Sequence, residues 1–146
     1  MVNQKYIEKI KKLQNFFNQK NKLIFVHVDI FRSFKIHFEN KKDFFKTHLN
    51  YIEKITKSTK LIFPAFNYSF PKNKKFNVKK DISQTDYFTE FYRLNFARYR
   101  TQVPIFSSTF NDKINFPDNK KNINPFGKKS IFHHLYLNNG LIFYYG

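Results

Sequence analysis

Cysteine is absent from the 146 residues, which removes disulfides, thiolate zinc sites and a cysteine nucleophile from the possibilities. Glycine totals 3. There is neither a glycine-rich phosphate loop of the dinucleotide or nucleoside-triphosphate kind nor a "GxSxG" nucleophile elbow. No apolar run approaches the roughly 20 residues that span a bilayer, and "MVNQKYIEKIKKL" at the N-terminus has no signal-peptide core. A cytoplasmic protein with no membrane partner is expected. Acidic side chains are few as well, 10 against 27 lysines and arginines, for a formal charge of +17.

A charge of that sign raises nucleic acid as a partner, since lysine and arginine release counterions condensed on phosphate backbones. Its distribution argues against the idea. Lysine far outnumbers arginine, and asparagine, phenylalanine, isoleucine and tyrosine are abundant, a mixture that AT-rich codons alone would produce. The basic residues are scattered through "KKL", "NKK", "PKNKK" and "GKK" without a block of five or six. They read first as a solvated surface, able to steer an anionic ligand from a distance.

What the chain does have is an alternation of helical and strand patterns. Tyr6, Ile10, Leu13 and Phe17 fall at helical spacing, so residues 4–19 read as an amphipathic helix. The run from Leu23 to Val28 suits a strand buried on both faces. It leads straight into polar residues, so that "LIFVHVDIFRSFKI" sets His27, Asp29, Arg32 and Ser33 at a strand's carboxyl end. Phe45, Leu49, Ile52 and Ile55 mark one face of a second helix. "KLIFPAF", residues 60–66, is a second strand whose pairing Pro64 ends for want of an N–H. A helix between two buried strands implies a right-handed crossover and a parallel sheet.

Residues 67–83 are polar and irregular. Thr85 is expected to cap a third helix, with Asp86 and Glu90 near its positive end. Phe88, Phe91 and Asn95 alternate along it with Tyr87 and Leu94. Residues 99–129 are loop-rich, punctuated by Pro104, Pro117, Pro125 and Gly127. Ser130 caps a short helix, "IFHHLYL"; "NNG" turns the chain and "LIFYYG" is the last strand. The fold class is α/β: one domain over 1–146, a layered α/β/α arrangement with a central, mainly parallel sheet. Its loops exceed the about 4–6 residues usual in compact domains, which points to function or to contact with a missing part of the fold.

Taken together, these stretches resemble the aminoglycoside 3-N-acetyltransferase family, antibiotic- and amino-sugar-modifying enzymes. "VHVDIFRSF" is similar to the family's first strand with its histidine and small polar residues. "LIFPAFNYSF" supplies the proline, aromatic and tyrosine of its second strand, and "FNVKKDISQTDYFTEFYR" the polar segment before a helix. "YRTQVPIFSS" supplies an arginine, proline and serine, and "NPFGKKSIFHHLYLNNGLIFYYG" the closing helix and strand. The likeness runs over nearly all of the chain. Departures are local: no glycine near Phe34 or Lys35, Asp86 where glycine is usual, and Phe106 where histidine is usual.

The resemblance implies direct acetyl transfer from acetyl-CoA to an amino group of an aminoglycoside or amino sugar. A base takes the ammonium proton and donors stabilise the oxyanion. Family members are longer, with the acid and histidine for proton removal beyond the position of Gly146. The expectation is an N-terminal part of an incomplete family fold, with no catalytic residue of its own and little turnover. A separate C-terminal half, or a second copy of the chain, is the expected polypeptide partner.

Within the chain, the resemblance assigns the coenzyme to His27, Asp29, Arg32, Ser33 and Ser107. Backbone amides of the first loop and Ser33 would meet pantetheine and diphosphate, and Arg32 a phosphate, which its planar donor fork suits. It assigns the substrate to Tyr68 and Arg100. Each has a plainer reading. His27 is either a proton acceptor or a structural histidine bonded to backbone. Asp29 orients it or caps the strand. Arg32 is a surface arginine, Ser33 a turn residue and Tyr68 a core tyrosine. Arg100 pairs with Asp86 or Glu90, and Ser107 is a loop hydroxyl. His133 and His134 are adjacent on a helix and point apart, whereas metal ligands on one helix want a spacing of three or four; no metal is expected. The competing function is a non-catalytic basic module that binds nucleic acid or an acidic partner through Lys72, Lys74, Lys75, Lys79 and Lys80.

Overall fold

A computed structural model describes residues 4–17, 22–33, 40–116 and 124–146, with side chains in the first helix from Glu8 onward. Helix α1 (Gln4–Phe16) forms as the spacing predicts but stops short of residue 19. The expected turn beyond Phe17 and the Tyr6 side chain lie outside the described residues. Strand β1 (Ile24–Val28) follows, then α2 (Lys41–Thr56) and β2 (Leu61–Pro64). Asn40 starts α2 by a reciprocal cap: its Oδ1 accepts from the Asp43 amide (2.9 Å) and its Nδ2 donates to the Asp43 carboxylate (2.6 Å). Lys57, left-handed at φ 53°, ends it.

β1 and β2 pair in parallel, as a helical crossover between buried strands requires. Their register runs only from Ile24 opposite Leu61 to Phe25 opposite Ile62. Pro64 does not end β2's pairing as expected. On the other side β2 stays antiparallel to β4 (Ser108–Phe110), with Pro64 opposite Ser108. The Ala65 and Asn67 amides continue that ladder to Ser107 O and Ile105 O (2.7 and 3.1 Å). Strand alternation turns the Ala65 N–H toward β4 and so the missing Pro64 N–H toward β1. The proline's defect therefore coincides with the place where β1 and β2 part.

The chain continues through one turn of helix, α3 (Phe70–Asn73), then α4 (Tyr87–Asn95), β3 (Tyr99–Arg100), β4, α5 (Ile131–Leu137) and β5 (Leu141–Tyr145). The cap of α4 is Asp86, whose Oδ1 accepts from the Thr89 amide (2.8 Å). Thr85, the expected cap, instead accepts from the Phe66 amide with its hydroxyl (3.2 Å). Ser130 caps α5 as expected, accepting from the His133 amide. β3 and β4 were not legible in the sequence, which reads as loop there.

The result is α/β with a mixed five-stranded sheet in the order β3-β4-β2-β1-β5. β1 is parallel to both β2 and β5, whereas β2–β4 and β4–β3 are antiparallel. Alternate residues of the strands feed two cores. Ile24, Val26, Leu61, Phe63, Phe143 and Tyr145 meet α2 and α4 through Leu49, Ile52, Ile55, Phe88 and Tyr92. Phe25 and Ile62 meet α5 through Ile131 and Leu135. Fully burying each such side chain is worth roughly 1.5–3 kcal/mol, and β1, at the centre, contributes to both cores. No helix among the described residues is long and apolar enough to cross a membrane.

Candidate functional site

The connectivity singles out the carboxyl end of β1. From β1 the chain moves by α2 to β2 on one side, whereas β5, preceded by α5 on the opposite face, docks on the other side. In open α/β sheets, ligands bind outside the carboxyl ends of strands at such a reversal.

There the chain makes a tight turn. The Asp29 amide donates to Tyr145 O of β5 (2.8 Å), and Asp29 O accepts from the Arg32 and Ser33 amides (3.1 Å each). Asp29 Oδ1 accepts again from the Arg32 amide (3.3 Å), and Oδ2 lies 3.3 Å from Arg32 Nε. The Ser33 hydroxyl donates to Ile30 O (2.8 Å). The loop amides assigned to a coenzyme are thus partly used within the turn. Those of Ile30 and Phe31 make no hydrogen bond with another described residue. The Arg32 side chain is 84% exposed, so its fork is open to solvent beside a carboxylate that holds it weakly.

Arg32 and Ser33 line a cleft of about 470 Å³, closed by Lys9, Ile10 and Leu13 of α1, Ile55 of α2 and Phe143 to Gly146 at the end of β5. β5 reaches so close that a Cβ at Gly146 would stand 2.8 Å from Asp29 O. His27 is at the same end but on the other face. Its ring stacks on Tyr144 (5.1 Å between centres, planes 10° apart) and meets Phe25 (5.1 Å). Its side chain makes no hydrogen bond with a described residue, so the expected backbone tie is replaced by ring contacts. Burial holds its pKa below the usual histidine value.

Arg100 and Ser107 come together, but away from that cleft. Arg100 is 8% exposed. Its guanidinium donates to Ala65 O (2.6 Å), Val78 O (3.4 Å), Asp81 O and Ser107 Oγ (3.1 Å), and lies 5.0 Å from the centre of the Phe76 ring. Ser107, fully buried, donates to Ala65 O. The expected Arg100 pair with Asp86 or Glu90 does not form. Glu90 is clasped by Arg93 in two bonds of 2.7 Å, and accepts from the Ser83 amide (2.7 Å). Burial would raise the Glu90 pKa, but the bonds from Arg93 and Ser83 outweigh it and hold it low. Arg100 and Ser107 thus form a buried tie that pins the 65–81 loop to the sheet, their polar atoms bonded within the protein. Tyr68, beyond the end of β2, is 57% exposed and meets Phe66 edge-on; it is not a core tyrosine.

Two polar groups near this edge are not among the site residues that the sequence suggests. Asp86 Oδ2 is buried without a partner, and burial raises the Asp86 pKa, with the Asp29 charge adding to the rise against the stabilising Thr89 and Phe88 amides. His48 of α2 is fully buried, its Nδ1 2.8 Å from Tyr145 Oη, and burial drives its pKa down to about 4. The signal for His48 was present: it lies one residue before Leu49 on the buried face of α2. Among the described residues no cluster of three or more His, Asp or Glu side chains is placed to hold a metal. Comparison with known proteins finds no matching family model, no matching curated protein and no matching solved structure.

Proposed function

We propose that this chain forms the acyl-donor side of an acetyl-CoA-dependent N-acetyltransferase, with an amino group of an aminoglycoside or amino sugar as acceptor. The observation that carries the reading is the Asp29–Ser33 turn opening on a cleft at the reversal of strand order. It coincides with the residues on which the likeness to the aminoglycoside 3-N-acetyltransferases rests. On this reading the sheet is an incomplete version of that family's layered α/β/α fold with its central, mainly parallel sheet.

Arg32 then meets the coenzyme's phosphate, while the Ile30 and Phe31 amides and the Ser33 oxygen line its approach. Asp29 competes with the phosphate for Arg32 and sets how readily the guanidinium is released. In transfer, the acceptor nitrogen bonds to the thioester carbonyl carbon, the carbon–sulfur bond breaks with its electron pair going to sulfur, and coenzyme A leaves as the thiol with the proton that the nitrogen gives up. Tyr68 offers an exposed ring and hydroxyl to a sugar. His27, on the other face, acts only by holding Tyr144, which lines the cleft. Arg100 and Ser107 act only by fixing the loop that carries Tyr68. No proton acceptor is assigned within the chain, so coenzyme binding is the deciding measurement, not turnover.

Titration calorimetry with coenzyme A on the wild type, Arg32→Ala and Asp29→Asn tests this directly. Arg32→Ala should weaken binding about tenfold through loss of a charge-assisted contact. Asp29→Asn keeps an acceptor for the Arg32 amide but removes the competing charge, and should tighten binding severalfold at low salt. A wild type that takes up no coenzyme A, or a coenzyme affinity indifferent to Arg32, would sink the proposal.

A further inference from the structure

Aromatic rings are in continuous contact across the α5 face of the sheet. Tyr68 meets Phe66 (6.2 Å between ring centres), Phe66 meets Phe106 (5.3 Å) and Phe106 meets Phe126 (5.2 Å). From Phe126 the run passes to Phe132 (5.4 Å), to Phe25 (5.2 Å), to His27 and on to Tyr144. Its inner member Phe25 is buried, but Tyr68, Phe126 and Tyr144 are 57%, 65% and 74% exposed. Single exposed rings are ordinary. Three of them anchored on one connected run, over a face that only the seven-residue α5 covers among the described helices, are not.

Among the described residues the exposed charges beside the run are positive, and Asp81, which shares a hollow with Lys75, is taken up by Asn67 Nδ2 and the Asn77 amide. Exposed Lys72, Lys74 and Lys75 follow Tyr68, and exposed Lys128 and Lys129 follow Phe126. Residues 124–146, which supply Phe126, Phe132 and Tyr144, contain no aspartate or glutamate. Asp29, beyond His27, is engaged by Arg32. Scattered lysines alone do not specify a polyanion, but lysines set beside exposed stacking faces do. The complementary ligand carries planar rings and a negative charge at every repeat. A duplex hides its ring faces, and an acidic polypeptide has none at regular intervals.

We infer that this face binds single-stranded nucleic acid without sequence preference, with bases stacked on Tyr68, Phe126 and Tyr144 and phosphates met by the flanking lysines. Stacking on aromatic side chains tolerates any base, and the lysines track the backbone. Tyr144 lines the coenzyme cleft and Tyr68 is the ring offered to the sugar, whereas Phe126 takes no part in either, so Phe126→Ala is the variant that separates this inference from the acyl-transfer reading.

Fluorescence anisotropy of a short fluorescein-labelled oligothymidylate with the 146-residue chain provides the test. Binding should weaken steeply with salt, and Phe126→Ala and Tyr144→Ala should each weaken it about tenfold. Unlabelled single strands should compete far better than the duplex, heparin or polyglutamate. Both variants remove exposed side chains, and an unchanged circular dichroism spectrum and unfolding midpoint verify that they fold. Absence of binding at low salt overturns the inference. So does binding that both variants leave intact, or equal competition by heparin or polyglutamate, since either outcome leaves charge alone as its basis.

Discussion

Arg100 shows how a residue type can be legible while its role is not. The family resemblance assigns this arginine to the substrate, but its guanidinium is spent on backbone carbonyls of residues 65, 78 and 81. Burial lowers its pKa to about 10, with the Arg93 charge adding to the effect and Glu90 and Asp81 opposing it. It therefore stays charged at neutral pH. Arg100→Lys keeps the charge but places three donors at one point, where the fork serves oxygens on separate stretches of chain. The buried carbonyls left without a donor should cost about 2–4 kcal/mol, read as a lower midpoint in urea unfolding. A surface phosphate-binding arginine would give almost no change. Burial is the missing information: nothing in "YRTQV" distinguishes a guanidinium that faces water from one that closes a loop.

At the scale of elements, the turn between α5 and β5 is a tight joint. The Gly140 amide donates to Leu135 O (2.8 Å), after Asn139 in the left-handed region at φ 47°. A Cβ at Gly140 would fall 2.3 Å from Leu135 Cδ1 and 2.9 Å from Leu135 O. The side chain can move, but the carbonyl cannot without losing that bond. Gly140→Ala should therefore destabilise by about 1–3 kcal/mol, with Leu135 displaced from the α5 core; thermal unfolding of the two proteins measures it. Here the sequence spoke clearly, since "NNG" after a short amphipathic helix is a turn with a mechanism. β1, β2 and α2 were equally legible, because long apolar runs and helical spacing survive any tertiary context. β3 and β4 were not, being two and three residues long and too short to show a period. The α4 cap was misplaced by one residue because Thr85 and Asp86 are both good caps, and only the demand of the Phe66 amide separates them.

For the molecule as a whole, charge and buried histidines act together when the pH falls. With 27 basic and 10 acidic side chains, protonating carboxylates adds to a self-repulsion already present at neutrality. Burial lowers the pKa of His27, His48 and His134. Between about 4 and the ordinary 6.5, the unfolded chain therefore holds more protons at His48 than the folded one. Stability should rise with pH through that window and be lost as pH falls through it, by on the order of 3 kcal/mol for His48. Asp86 has the opposite sign. Its raised pKa keeps a proton on the folded chain just above 3.8, so its contribution falls as pH rises there. Asp86→Asn, which retains an acceptor for the Thr89 amide, removes that opposing effect. Above the range where Glu53 and Glu90 titrate, from 6.5 down to about 5, salt separates the two remaining causes. It screens the exposed lysines but not a histidine shut in the core. Urea midpoints measured in the Asp86→Asn protein should be higher throughout at high ionic strength, while the loss of stability across that range persists. A profile that salt flattens completely would assign the acid sensitivity to surface charge and remove the buried histidines as its cause.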